Sequence, residues 1–188
     1  MYKENIKKFK LVYHGTLAKR LGVDLTIEAV EKLIRRIPEI EFHIYGGGDA
    51  KQDLLQLTGE LRLQTYVHFY GFLPLDKLCP ILTAMDLGVI GNRKNRATDL
   101  MVPVKMLEYV ALNIPVIVPR LQTVQYYFSE EMVSYFEPED SDALAASILA
   151  LYQNKGKRAR QARAARTFLD QFGWEIHQRD FLDLYSRL

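Results

Sequence analysis

The sequence predicts an α/β domain in which helices cover both faces of a mostly parallel, six-stranded sheet. Three observations predict it. Short unbroken apolar runs alternate with stretches of helical periodicity, as in chains that build parallel sheets through helical crossovers. Those runs lack polar alternation, the pattern of strands covered on both sides. No internal repeat, low-complexity linker or second boundary interrupts the 188 residues, so residues 1–188 read as one domain around one core.

Strands are expected at 10–14, 41–45, 67–70, 87–90, 115–118 and 133–136, each short and rich in Val, Ile, Leu or aromatic residues. Between the first two, Ala29, Val30, Leu33, Ile34 and Ile37 form one helical stripe, which Pro38 ends. A second helix is expected over 53–63 and a third over 75–85, entered through Pro74. The fourth covers 103–112, with Asn113 as its left-handed cap. Asp140 or Ser141 caps a helix carrying Leu144, Ala145, Ile148, Leu149 and Tyr152. The character then changes. An Ala/Arg-rich helix begins at about 157 and runs to 172, and Gly173-Trp174 opens a last amphipathic helix holding Ile176, Phe181, Leu184 and Leu188. Right-handed crossovers between parallel strands make this a three-layer sandwich.

Composition narrows the function. Hydrophobic residues make up 48% of the chain and charged ones 26%, the balance of a soluble globular domain. With a net charge of +2 and basic residues dispersed among acids, nothing calls for nucleic acid. The one basic cluster, 157–166, reads as a solvated helix face, with a membrane-surface contact as the less simple reading. A single cysteine, Cys79, leaves no internal disulfide and fits a reducing compartment; it lies in an apolar run and reads as a packing residue. Charged residues follow Met1, so no signal peptide is expected, and no apolar run reaches the roughly 18 residues of a membrane span. The expectation is a cytoplasmic domain without a membrane span, whose parent chain can still work peripherally at a membrane.

In open parallel sheets ligands bind beyond the carboxyl ends of the strands, so the residues there are the candidates. The first strand ends in His14-Gly15-Thr16, followed by Lys19, Arg20 and Gly22. A glycine there lets a ligand approach the backbone, and a guanidinium matches phosphate oxygens. The same segment also reads as a plain strand–helix turn with two solvated cations. The second strand runs into Gly46-Gly47-Gly48-Asp49, a turn able to expose N–H groups to a diphosphate, though it carries no full dinucleotide fingerprint. After the third strand comes Gly71-Phe72, whose aromatic side chain reads as core packing. His43 and His68 sit mid-strand at no metal-ligand spacing and read as structural; no metal site is expected. A polar, basic loop carrying Arg93, Lys94 and Arg96 then leads to Asp99-Leu100 and to Pro103-Val104-Lys105-Met106-Leu107-Glu108-Tyr109. That last run places a cation, a carboxylate and the free N–H groups of a helix start within reach of one ligand. Glu108 also reads as an exposed helix residue paired with Lys105.

The order and spacing of these segments, from His14 to Trp174, resemble the donor-binding half of retaining glycosyltransferases with the GT-B architecture, above all family 4. The resemblance implies a Rossmann-like half-domain that binds a nucleotide-sugar donor, with a separate N-terminal acceptor domain, absent here, in the same parent chain or a partner. It implies contacts from Gly15, Thr16, Arg20, Gly46, Gly47, Phe72, Asp99, Lys105 and Glu108. Arg20 and Lys105 would stabilise charge on the departing diphosphate in a metal-independent transfer with no cofactor beyond the donor, and Glu108 would hold the ribose. The family's Lys-Gly pair, with its glycine seven residues after the first, falls on Leu21-Gly22, so the lysine's role shifts to the adjacent Arg20. Its sugar-facing glutamate falls on Leu100, leaving Asp99 as the substitute after a shift of one residue. A non-catalytic interaction module on the same fold, or a sugar-nucleotide epimerase-like enzyme, is the alternative.

Overall fold

Apolar runs too short for helices and bounded by turn residues pair into a sheet that brings distant loops to one edge. The computed structural model describes residues 7–187. Its strands are β1 (Phe9–His14), β2 (Ile40–Tyr45), β3 (Val67–Gly71), β4 (Leu87–Val89), β5 (Val116–Pro119) and β6 (Ser134–Phe136). They form one sheet in the order β3-β2-β1-β4-β5-β6, every neighbouring pair parallel. The order reverses between β1 and β4, which leaves a crevice above their carboxyl ends.

The helices are α1 (Val23–Leu33), α2 (Lys51–Glu60), α3 (Leu75–Leu82), α4 (Arg96–Asp99), α5 (Val104–Ala111), α6 (Gln122–Tyr127), α7 (Ser141–Gln153), α8 (Lys155–Phe172) and α9 (Trp174–Tyr185). Alternation of side chains along the strands divides the core. Leu11, Phe42 and Ile44 pack with Ile27, Val30, Leu144 and Ile148 on the face of α1, α2 and α7. Val12, Tyr45, Ile90 and Val118 pack with Leu82, Met106, Val110 and Phe168 on the face of α3, α5, α6 and α8. The result is the Rossmann-like three-layer domain the apolar pattern predicts.

The capping expectations hold in detail. Asn113 takes φ 57° just past α5, and the Asp140 carboxylate accepts the N–H groups of Asp142 and Ala143 at 2.9 Å each. Three expectations need correcting. The basic loop is partly helical, because the Asn95 side chain accepts from Ala97 and Thr98 while the Thr98 hydroxyl accepts from the Asn95 N–H, a closed capping box. Helix α6 has too little apolar periodicity to be read from sequence. β3 is an edge strand, so Tyr70 is half exposed rather than covered on both faces. His43 and His68 are structural: His43 lies 3.1 Å from both Tyr70 Oη and Glu41 Oε2, and His68 packs beside it with ring centroids 5.4 Å apart. Among the described residues no helix is long and apolar enough to cross a membrane. Helix α9 forms where expected, with Leu188 outside the described residues, yet Trp174, Ile176, Phe181 and Leu184 are all exposed.

Candidate functional site

Backbone-to-backbone packing of glycines builds the floor of the crevice. Gly15 has φ 109° and Gly46 has φ 140°, both in the region L side chains avoid. A Cβ on Gly46 would stand 1.9 Å from the Gly15 carbonyl oxygen, so only glycine lets the β2 turn close on the end of β1. Hydrogen bonds fix that approach: Gly15 N donates to Tyr45 O at 2.8 Å, Leu17 N to Gly47 O at 2.9 Å, and Gly46 N to Gly71 O at 2.7 Å. The exposed Phe72 ring, 74% accessible, lies against Gly47.

Lys105 enters this floor from the first turn of α5, a helix of eight residues whose Pro103 cap offers no side-chain acceptor to its free N–H groups. Its Nζ donates to Tyr13 Oη at 2.6 Å and rests 4.0 Å from the centre of the Tyr13 ring, a cation–π contact. Tyr13 in turn donates to the Thr16 carbonyl at 2.5 Å. Lys105 also borders Gly15, within 3.6 Å of where a Cβ there would sit. Burial pushes the Lys105 ammonium down to about 8, Glu108 pulling it back up and Arg20 adding to the fall. Burial pushes the Tyr13 hydroxyl above the ordinary phenol range, with Arg20 pulling the other way.

Glu108, one turn further along α5, is half exposed and places Oε2 3.2 Å from His14 Nε2. That contact is off the line of a hydrogen bond, so the buried nitrogen has a carboxylate nearby and no aligned partner. Burial first, then the Lys105 charge, pushes the His14 imidazole down to about 4; the pair is a neutral imidazole beside a carboxylate at neutral pH. Lys105 hydrogen-bonds Tyr13 rather than Glu108, which leaves the half-exposed carboxylate beside His14 without a lysine hydrogen bond.

Arg20 stands exposed on the short 3-10 turn Lys19–Leu21, within electrostatic reach of Lys105 and Tyr13. The turn itself is held by Arg93, whose N–H donates to Arg20 O at 2.9 Å and whose Nε donates to Lys19 O at 3.1 Å. Arg93 also pairs with Asp24 and, at 3.5 Å, with Glu139. The basic loop's first arginine is therefore a clamp rather than a free cation.

The structure brings together Gly15, Thr16, Arg20, Gly46, Gly47, Phe72, Lys105 and Glu108. It separates Asp99. The Asp99 carboxylate accepts Gln122 N at 2.7 Å and its carbonyl accepts the Thr123 hydroxyl at 2.9 Å, tying α4 to α6 on the β5 side of the crevice. Leu100 beside it is 72% exposed. Asp99 lines a cleft of about 740 Å³ that contains neither Lys105 nor Glu108. Tyr13 and His14 escaped the sequence reading as site residues, and Arg93, read there as one cation of the basic loop, instead holds the Lys19–Leu21 turn. Tyr13 and His14 alternate across the sheet at the end of β1, a placement that period-2 reasoning could have flagged. Among the described residues no group of three or more His, Cys, Asp or Glu side chains is arranged to hold a metal ion.

Known proteins share this arrangement of chain. The phosphatidyl-myo-inositol mannosyltransferase of Mycobacterium tuberculosis is 22% identical over 173 residues, covering 89% of this chain and 44% of that protein. The crystal structure of Anabaena Alr3699/HepE in complex with UDP and glucose superposes with a TM-score of 0.83 at 18% identity, over 96% of this chain and 49% of that one. The C-terminal domain of the glycosyl transferase group 1 family protein LpcC from Francisella tularensis superposes with a TM-score of 0.74 at 19% identity, over 88% and 85%. At such identities the structures show the fold. This chain spans less than half the length of the curated mannosyltransferase. The model of the glycosyl transferases group 1 matches residues 8–154, most of the chain, and the chain therefore belongs to that family, as a Rossmann-like half of the GT-B fold.

Proposed function

We propose that this chain is the donor nucleotide-sugar-binding domain of a retaining, metal-independent glycosyltransferase. The observation that carries the reading is the half-buried Lys105 ammonium, held over Tyr13 beside Gly15 at the uncapped start of α5. A cation, free helix N–H groups and an open backbone converge there, the chemistry that recognises a diphosphate. Gly15, Thr16, Gly46 and Gly47 line the diphosphate, Arg20 approaches from the rim, Glu108 accepts the ribose hydroxyls, and Phe72 offers its exposed face to the base. When the bond between the sugar's anomeric carbon and the phosphate oxygen breaks, negative charge gathers on the leaving diphosphate. Lys105 and Arg20 stabilise it from preset positions. We assign no protein nucleophile.

Transfer requires an acceptor half, in the same parent chain or a partner, and the isolated domain is inactive alone. The exposed apolar residues of α9 and the chain's fractional coverage of its relatives support a missing half. Residues 1–188 form one nucleotide-sugar-binding domain of a cytoplasmic enzyme that reaches the membrane, where it does so, through the rest of the parent. A second reading, an interaction module without donor affinity, is favoured by one observation: Leu100 occupies the sugar-facing position and Asp99 is tied to α6.

Calorimetric titration with UDP, GDP, ADP and their hexose conjugates decides between them. One nucleotide should bind selectively, and Lys105→Ala, Glu108→Ala and Arg20→Ala should each weaken it about ten-fold or more, the range of a lost charged contact. Absence of binding to every nucleotide would favour the interaction module.

A further inference from the structure

The cleft between α4 and α6 is a second feature of the carboxyl edge, and the diphosphate chemistry above leaves it unused. It lies on the β5 side, holds about 740 Å³, and is lined by Lys94, Asp99, Gln122, Gln125, Tyr126 and Tyr127. That volume suits a small-molecule ligand. Its walls are fixed. The Asp99 contacts to Gln122 N and Thr123 Oγ1 bind α6 to α4, so Asp99 shapes the cleft. Its rim presents an unusual set of groups.

Tyr126 is 80% exposed, the most exposed aromatic side chain among the described residues. It is not loose. The Tyr127 ring meets it edge-on at 4.9 Å and is itself packed against Phe168 at 5.8 Å and Phe172 at 5.2 Å. Tyr126 is thus a supported aromatic plate facing solvent. The side-chain amides of Gln122 and Gln125 have no hydrogen-bond partner among the described residues, and Lys94 has no carboxylate partner there. An aromatic plate with two amides and one ammionium around it matches the alternation of C–H faces and hydroxyl edges on a sugar ring. Amides both donate and accept, as hydroxyl groups do, and an aromatic face takes the apolar side of the ring.

We propose that this cleft binds a saccharide, namely the carbohydrate part of the acceptor, so that the donor half contributes to acceptor selection. The assignment rests on the donor-domain reading for its biological meaning. Its physical content, saccharide affinity at Tyr126, stands without that reading. A saccharide here could come from the acceptor or from the donor's own sugar, and the test separates them.

The chain is titrated with maltotetraose, mannotetraose and chitotetraose, and separately with UDP and UDP-glucose, GDP and GDP-mannose. Backbone amide resonances are followed by NMR, in the native chain and in Tyr126→Ala and Gln125→Ala. At least one free oligosaccharide should shift resonances of α6, and each substitution should weaken it about ten-fold, the effect of about one lost stacking or hydrogen-bonding contact. Nucleotide affinity should stay unchanged. No oligosaccharide binding, or binding indifferent to both substitutions, would overturn the proposal. So would substitutions that weaken only the nucleotide sugars and leave the bare nucleotides unaffected, because the cleft would then hold the donor's sugar. Oligosaccharide binding at α6 without any nucleotide binding would retain this site and refute the donor-domain reading.

Discussion

Lys105 carries the most consequential side-chain energetics in the molecule. In the unfolded chain it holds its proton up to about 10.5, in the folded one only to about 8. Between those values the unfolded state binds more protons, so stability rises with pH across that window, and at neutral pH the buried charge costs on the order of 2 kcal/mol. Lys105→Met should therefore raise stability by about 1–2 kcal/mol in denaturant melts at pH 7, since Tyr13 keeps Thr16 as its acceptor. The same variant should lose nucleotide binding. In the native chain nucleotide affinity should decline as pH passes about 8, and Lys105→Ala should abolish that decline. His14 has the matching acid-side signature. Its folded pKa of about 4 lies below the unfolded 6.5, so its share of stability is present above 6.5 and lost as pH falls toward 4. His14→Asn should flatten that part of the acid-melting curve, and an unchanged slope would show that His14 is not the group responsible.

Elements meet at one contact that only glycine allows on either side. A Cβ on Gly91 would stand 2.2 Å from the Gly22 carbonyl oxygen, and one on Gly22, at φ 61°, 1.9 Å from the Gly91 oxygen. This is where the α1 entry turn packs on the end of β4, at the reversal of strand order. Gly91→Ala should destabilise the fold by about 2–4 kcal/mol in urea melts, as overpacking against unyielding backbone does. It should also loosen the turn carrying Arg20, which Arg93 clamps from the same segment. By contrast, Asp99→Ala removes one backbone contact between α4 and α6 and should cost about 1 kcal/mol. If nucleotide affinity also fell sharply in that variant, the separation of Asp99 from the diphosphate region would be wrong.

At the scale of the whole molecule, α9 carries the largest group of exposed apolar side chains among the described residues. Trp174 is 65% and Leu184 67% exposed on that helix. Replacing Trp174, Phe181 and Leu184 together by Ser, Gln and Gln should leave the thermal midpoint of this chain within a few degrees of the original. It should also reduce self-association in analytical ultracentrifugation. A large drop in the midpoint would mean that α9 contributes to the stability of this domain.

The fold was largely legible in the sequence, and the physical reason is local. Short apolar runs covered on both faces, punctuated by Gly, Pro and Asp, specify parallel strands and their crossovers residue by residue, and caps such as Asp140 and Asn113 act through atoms two or three positions away. The glycine-bearing turns after β1, β2 and β3 were legible for the same reason. What remained hidden depends on neighbours far apart in the chain. Tyr13 orients Lys105 across 92 positions, Arg93 grips the turn at Lys19 across 74, and Asp99 reaches α6 across 23. Sequence determined the scaffold, the family and which loops gather at one edge. Tertiary structure alone decided which charged groups point into the crevice and which are consumed in holding it, because those choices follow from burial and reach, and neither is written in the spacing of residues along the chain.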